Sequence, residues 1–216
     1  MKRCKTLGLF CREVMRLVGC GYVYANFVKI KEMSEDKINE KIHYIDTIYE
    51  LDKTRSAKAW NRHKDIANVD AVFFEKYNVL FIAKTKGALH KNLTDKGVKD
   101  YQFEKVEKLT LQISALLGLK LYKQVTTKEA KEKAIQQGKA PKVERWTFKL
   151  SYETFKAFKA EFYNAISKGD GRHFHTLQSR WKGLPNYVGI GIQRTNLNTF
   201  IQDLMKKHAR HWSKTF

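Results

Sequence analysis

Apolar residues recur along the chain with two spacings, one typical of helices and one typical of strands. Near the N-terminus, six apolar residues fall on one side of a predicted amphipathic helix: Leu7, Phe10, Cys11, Val14, Leu17 and Val18. Residues 22–30 are rich in aromatic and β-branched side chains and predict a strand. Two further predicted strands, 69–74 and 79–84, are separated by a loop of hairpin length at 75–78.

The second half of the chain repeats this mixture and ends in helices. Alternating apolar residues predict a second hairpin between 109 and 121 and a strand at 146–150. Helices are predicted after the candidate N-caps Ser34, Asp52 and Ser151, and Gly169 is predicted to end the last of these. Three more helices are predicted at 128–137, 172–182 and 195–210, with a tight turn at 189–191.

Together these elements predict an α+β fold. We expect an antiparallel, hairpin-rich sheet of about five to six strands, with helices on one face and a helical C-terminal segment. The predicted organisation is an N-terminal amphipathic helix at 1–20, a sheet-containing α+β core at 21–150, and a helical part at 151–216 that packs on the core.

The composition is that of an ordinary globular protein except for its charge. The 216 residues include 42 Lys and Arg but only 22 Asp and Glu, which gives a formal net charge of +20. Self-repulsion of this size opposes folding, and it is usually retained because a polyanion neutralises it. The charge therefore predicts a nucleic-acid partner, with RNA favoured over DNA. The composition excludes collagen-like, disulfide-rich and multi-span membrane proteins.

The cysteines and the N-terminus indicate a cytoplasmic, reducing environment. Cys4, Cys11 and Cys20 are odd in number and include no C-x-x-C pair, which predicts reduced thiols. Arg12 and Glu13 interrupt the first apolar run, so it does not match a signal peptide. No stretch approaches the roughly 18 uncharged apolar residues of a membrane span, so we expect no membrane partner.

Three clusters combine cationic side chains with aromatic rings, a combination that binds phosphates and stacks on unpaired bases. In the first, the predicted nucleic-acid contacts are Arg55, Lys58, Trp60, Arg62, His63 and Lys64. In the other two, they are Arg172, Arg180 and Lys182, and Lys206, Lys207 and Arg210. Duplex DNA hides its base faces, so rings beside cations favour single-stranded or structured RNA. The average burial of tryptophan nevertheless favours core positions for Trp60 and Trp181 taken singly.

A short histidine pattern leaves an enzymatic alternative open. His173-Phe174-His175 resembles the His-hydrophobic-His motif of the HUH endonucleases, in which two histidines bind a divalent cation and a tyrosine attacks the scissile phosphate. The resemblance covers three residues and implies single-strand DNA cleavage with Tyr187 as the nucleophile. Such a site needs both histidines on one side of a strand, whereas Phe174 and Leu177 follow helical spacing.

Two further alternatives remain. As a small basic α+β chain with a late glycine-containing loop, the protein resembles the CRISPR RNA-processing endoribonucleases. That resemblance implies metal-independent RNA cleavage, with His173, His175 or Tyr187 as candidate catalytic residues. The other alternative is a basic interaction protein that docks on an acidic protein partner. Residues 189–191 are too short for a dinucleotide fingerprint, and we expect no cofactor and no resident metal.

Overall fold

The computed structural model describes residues 1–99, 102–138, 140 and 144–209. The chain forms two compact units. We call Met1–Leu111 with Leu121–Trp146 the N-terminal unit, and Gln112–Lys120 with Thr147–Phe216 the C-terminal unit.

The α+β class predicted from the sequence is confirmed. The helices of the described residues are α1 (Leu7–Gly19), α2 (Glu35–Tyr49), α3 (Arg55–His63), α4 (Lys91–Asp95), α5 (Lys128–Gln136), α6 (Tyr152–Lys168), α7 (Gly171–Lys182) and α8 (Val188–Lys207). The strands are β1 (Lys2–Cys4), β2 (Tyr24–Lys29), β3 (Val69–Phe74), β4 (Val79–Lys84), β5 (Glu104–Lys105), β6 (Thr110–Ser114), β7 (Leu117–Val125) and β8 (Glu144–Leu150).

The larger sheet contains five strands in the order β1-β3-β4-β2-β5. The β3–β4 hairpin has its predicted bounds, and a 3-10 turn at Glu75–Tyr77 connects the two strands. β1 pairs with β3 in parallel, whereas the other pairings of this sheet are antiparallel. The sequence predicted one antiparallel sheet. The strands instead divide between this mixed sheet and a three-stranded antiparallel sheet of β6, β7 and β8.

Helices cover both faces of the larger sheet, where the sequence predicted helices on one face. On one face, the ring of Phe10 in α1 stacks on Phe74 with their centroids 5.2 Å apart. On the other face, Ile42 of α2 belongs to the same buried cluster as Phe73 and Ile82. Every residue of β4 is buried, Lys84 at its end included, as expected for a strand that is covered on both faces.

A buried carboxylate fixes the N-terminus of the chain against α1. Glu13 is 7% exposed and accepts hydrogen bonds from Lys2 Nζ and Arg16 Nε, each at 2.7 Å. Burial raises the pKa of Glu13, but these hydrogen bonds and the two positive charges outweigh burial. The net result is a pKa below the ordinary glutamate value. The ionised carboxylate therefore stabilises the fold.

The C-terminal unit contains α6, α7 and α8. Ser151 caps α6 as predicted, since its Oγ accepts a hydrogen bond from the Thr154 backbone N at 3.2 Å, and Gly169 ends the helix in a left-handed conformation. The ring of Phe162 in α6 meets Phe174 of α7 edge-on, with centroids 5.7 Å apart. These contacts join α6 and α7 through aromatic residues spaced at helical intervals.

Two helices begin at positions other than those predicted. α3 follows Thr54 rather than Asp52, and Thr54 Oγ1 accepts a hydrogen bond from the Ala57 backbone N at 3.2 Å. α8 begins at Val188, so residues 189–191 lie in its first turn and the prediction of a tight turn there was wrong. Glycine disfavours a helix by about 1 kcal/mol, but Gly189 is buried in this unit and packing outweighs that preference.

Cys4 and Cys11 are buried, and Cys20 is exposed. Within the described residues, no helix combines the length and the apolar character that crossing a membrane requires.

Candidate nucleic-acid interface

The first predicted cluster lies on α3 and presents an exposed ring. Trp60 is 61% exposed, so the core position expected for a single tryptophan was wrong here. Lys64 Nζ lies 5.0 Å from the centroid of the Trp60 ring, and Arg55, Arg62 and His63 are also exposed. Cations around an open indole face can bind phosphate while the ring stacks on a base.

Lys58 belongs to the same cluster but serves the fold. Its Nζ lies 3.0 Å from Asp70 Oδ2, and both side chains are 22% exposed. The helical spacing of Arg55, Lys58 and Arg62 predicted a shared phosphate-binding face. The ion pair instead holds Lys58 against β3, which leaves the two arginines as the exposed cations of that set.

A buried polar network attaches α3 to the ends of β3 and β4. Asn61 Nδ2 donates to Asn68 Oδ1 at 3.0 Å, and Asn68 Nδ2 donates to the Lys58 backbone O at 2.8 Å. The Asn68 backbone N in turn donates to Thr85 Oγ1 at 2.9 Å. Satisfied buried amides of this kind fix position more specifically than apolar packing does. The network therefore fixes the position at which the chain leaves β4 and enters the residues that follow Thr85.

Strand register places a lysine on each side of a tyrosine. Tyr24 of β2 lies directly opposite Lys84 of β4 and also directly opposite Lys105 of β5. Directly opposite residues of antiparallel strands point to the same face of a sheet. Lys84 Nζ lies 5.3 Å from the Tyr24 ring centroid and donates to the Gly87 backbone O at 3.1 Å. Lys84 is only 4% exposed, so it supports the Tyr24 ring rather than presenting its charge to solvent. Neighbouring strands thus form a Lys-Tyr-Lys row at this edge of the sheet.

Two adjoining cavities open along this row. One, of about 440 Å³, is lined by Tyr24, Lys84 and Lys86 with Asp65 and Gly87. The next, of about 340 Å³, shares Tyr24 and Lys86 with the first and adds Lys105 and Lys123. Because they share lining residues, the two cavities form one groove.

The groove continues past a second ring. Trp146 and Lys123 line both the second cavity and a third of about 460 Å³, which Arg145 also lines. Lys123 Nζ lies 5.4 Å from the Trp146 ring centroid. We call the whole set the lysine groove, and it consists of Tyr24, Lys84, Lys86, Lys105, Lys123, Arg145 and Trp146.

Acidic side chains offset only part of the charge in the lysine groove. Its lining includes Asp65, Glu107 and Glu144 beside the five cations. Glu144 Oε2 lies 3.6 Å from Lys123 Nζ, and both side chains are about half exposed. An exposed pair at that distance is weak, so Lys123 can exchange the carboxylate for a phosphate at low cost.

In the second predicted cluster, two cations are exposed and the third forms an ion pair within the fold. Arg172 and Lys182 are exposed at opposite ends of α7. Arg180 Nη1 lies 3.2 Å from Glu161 Oε2, and its guanidinium lies 5.4 Å from the Phe158 ring centroid. Arg180 therefore links α7 to α6.

The rings and the third cluster complete the set of predicted contacts. Trp181 is 4% exposed, which agrees with the core position expected for it. Lys206 and Lys207 are exposed at the end of α8, where cations also stabilise the helix dipole. The predicted contact Arg210 lies outside the described residues.

The residues of the nuclease alternatives lie on helices of the C-terminal unit. His173 and His175 are both in α7, where residues two apart point about 200° from each other. The shared strand face that an HUH site needs is therefore not provided by this segment. Tyr187 is the N-cap of α8, and its ring packs 5.6 Å from that of Phe148. Among the described residues, no group of three or more His, Cys, Asp or Glu side chains is arranged to hold a metal ion.

Comparison of the chain with protein-family models, with curated proteins and with solved structures finds no match. The sequence did not predict the lysine groove, because most of its members are far apart in the chain. Its members come from five strands and one loop, and strand register brings Tyr24, Lys84 and Lys105 together. Tyr24 in a predicted strand and Trp146 in another carried no local signal of a shared site.

Proposed function

We propose that the N-terminal unit binds single-stranded nucleic acid along the lysine groove. RNA is the favoured target over DNA. The observation that carries this proposal is the alternation of cations and rings in the groove. Lys84 and Lys105 flank Tyr24 by strand register, and Lys123 lies over the Trp146 ring. The exposed cations Lys86, Lys105 and Lys123 can neutralise phosphates while the rings stack on bases, at about 1–3 kcal/mol per base.

Single strands suit this surface better than duplexes do. A duplex presents phosphates but hides the faces of its bases, so it can use the lysines and not the rings. Unpaired bases occur mainly in RNA loops, bulges and ends, which is why RNA is the favoured target. The net charge of +20 supports a polyanionic partner of either kind.

The α3 surface is a second part of the proposed interface. α3 ends at His63, and Asp65 two residues later lines the lysine groove. The exposed Trp60 with Lys64 and Arg62 supplies a further ring and two further cations in the same unit. A single-stranded nucleic acid that leaves the groove near Asp65 can stack one more base on Trp60.

Fluorescence anisotropy with a labelled uridylate dodecamer tests the proposal. The test variant is Lys86→Glu/Lys105→Glu, which reverses two exposed groove lysines. The matched control is Lys37→Glu/Lys41→Glu, which reverses two exposed lysines of α2 outside the groove and makes the same change in net charge. Each phosphate contact on a single strand contributes about −0.7 to the slope of log K against log salt. Loss of two contacts should therefore reduce the magnitude of that slope by about 1.4.

We expect the groove variant to lose affinity and slope, and the α2 variant to keep most of both. The wild-type protein should bind the uridylate dodecamer more tightly than a duplex with the same number of phosphates, with the thymidylate dodecamer as the DNA comparison. Equal losses in the two variants would mean that the protein attracts polyanions through its net charge alone. Preference for the duplex would contradict base stacking in the groove.

A further inference from the structure

A cavity in the C-terminal unit has the composition of a small-molecule site. It has a volume of about 600 Å³ and lies among α6, α7 and α8. Its apolar lining includes the rings of Phe162, Phe174 and Trp181 together with Ile201 and Met205. Ligand sites commonly have volumes of about 300–1,000 Å³ and a mainly apolar lining with a few polar groups.

The polar part of the lining favours an anion. Arg194 and Lys182 contribute positive charge, and His175 contributes an imidazole. Among the described residues that line the cavity, none is an aspartate or a glutamate. A cationic ligand would meet only like charge there, whereas a carboxylate would meet two permanent cations.

Two buried hydrogen-bond donors belong to residues that line the cavity, and both lack acceptors. Within the described part of the chain, neither Trp181 Nε1 nor Arg194 Nε has a hydrogen-bond partner, although both atoms are buried. The Trp181 side chain belongs to a residue only 4% exposed. A buried donor without an acceptor is costly, so such donors usually indicate a missing partner.

Arg194 is held in place from the side of the α7–α8 loop. Its Nη1 donates to Asn186 Oδ1 at 3.2 Å, and its Nη2 donates to the backbone oxygens of Lys182 and Leu184. These contacts fix the guanidinium at the edge of the cavity before any ligand arrives. A preorganised donor loses little conformational freedom on binding.

We propose that this cavity binds an amphipathic carboxylate, whose apolar chain lies against Phe162, Phe174 and Trp181. The carboxylate oxygens accept hydrogen bonds at the cationic edge formed by Arg194 and Lys182. This site is independent of the lysine groove, because all of its residues belong to the C-terminal unit.

Three probes with the same eight-carbon chain test the charge preference: octanoate, 1-octanol and octylammonium. Each is titrated into the ¹⁵N-labelled full-length protein while the indole N–H signals are followed, and Trp181→Phe identifies the signal of Trp181. We expect octanoate to bind about tenfold more tightly than 1-octanol, because hydrogen bonds to a charged acceptor are strong. Octylammonium should bind most weakly, and octanoate should shift the Trp181 signal.

A pair of variants separates this site from general attraction to a basic protein. Lys182→Gln removes the exposed cation at the cavity edge, and Lys168→Gln removes an exposed cation of α6 that does not line the cavity. We expect only Lys182→Gln to weaken octanoate, with 1-octanol unaffected by either change. Equal effects of the two variants, octylammonium binding as tight as that of octanoate, or an unmoved Trp181 signal would each overturn the proposal.

Discussion

Gly87 lines the lysine groove and has no room for an added methyl group. Its φ is +107°, and a Cβ built there would lie 2.5 Å from the Asp65 backbone O and 3.0 Å from the Ala67 backbone N. The chain on either side is tied to the same segment, since Ala67 N donates to Ala88 O at 2.8 Å and Ala88 N donates to Asp65 O at 3.1 Å. Because the atoms that the added Cβ would meet belong to the backbone, no flexible side chain can move to relieve the overlap.

Gly87→Ala should therefore be destabilising for two separable reasons. A positive φ costs a residue with a side chain about 1–2 kcal/mol. Relieving the overlap requires a backbone shift, which costs about 1–3 kcal/mol more. Gly97→Ala is the matched control, because Gly97 has a φ of +85° but a Cβ added there would meet nothing within 4 Å, so this variant carries the first cost alone.

The measurement is urea unfolding of the two variants, combined with amide hydrogen exchange at Ala67 and Ala88. We expect Gly87→Ala to be less stable than Gly97→Ala by about 1–3 kcal/mol, or about 2–12 °C in Tm for a chain of this size. Exchange at the two amides should accelerate in Gly87→Ala only, because their hydrogen bonds cross the strained contact. Equal stability and equal exchange in the two variants would refute the close approach of Gly87 to Asp65.

Three other predictions concern single side chains. Glu13→Gln should cost about 1–3 kcal/mol at pH 7; because the folded-state pKa of Glu13 is lowered, this loss should shrink in urea titrations as the pH falls from near 4.5 through that lower value. Phe162→Ala removes a fully buried ring and should cost about 3–5 kcal/mol in urea unfolding, whereas Tyr163→Ala next to it, 48% exposed, should cost about 0.5 kcal/mol. Trp60→Ala should leave the urea midpoint almost unchanged but weaken uridylate binding by about 5–150-fold in the anisotropy assay, and an unchanged affinity would remove α3 from the interface.

Local patterns predicted the elements that depend on local chemistry. The β3–β4 hairpin was predicted from two apolar runs, and the start and end of α6 were predicted from Ser151 and Gly169. β1 and β5 were missed because they contain three and two residues, too few for a period to be recognised. The parallel pairing of β1 with β3 joins segments far apart in sequence, so no local pattern reports it.

The sequence predicted clusters of cations and rings, but not which of these side chains the fold leaves exposed. Lys58 and Trp60 are two residues apart and were given the same role, yet one is held by Asp70 and the other is exposed. Which cation is committed to the fold depends on the carboxylate that folding brings beside it. For the same reason, the row of Lys84, Tyr24 and Lys105 could not be predicted, since its members are brought together by register alone.

Ion pairing distinguishes the cations that stabilise this fold from those whose charge destabilises it. Lys58 and Arg180 each contact a carboxylate. Attraction to that carboxylate offsets part of the repulsion from the other cations of the protein. Lys86 and Lys105 are exposed beside further lysines in the groove, where like charges repel one another. Such a concentration of charge lowers folding stability, and a bound polyanion would restore it by replacing repulsion with attraction. Neutralising Lys86 or Lys105 should therefore stabilise the free protein while weakening a complex with a polyanion, which is the trade-off expected of a binding surface.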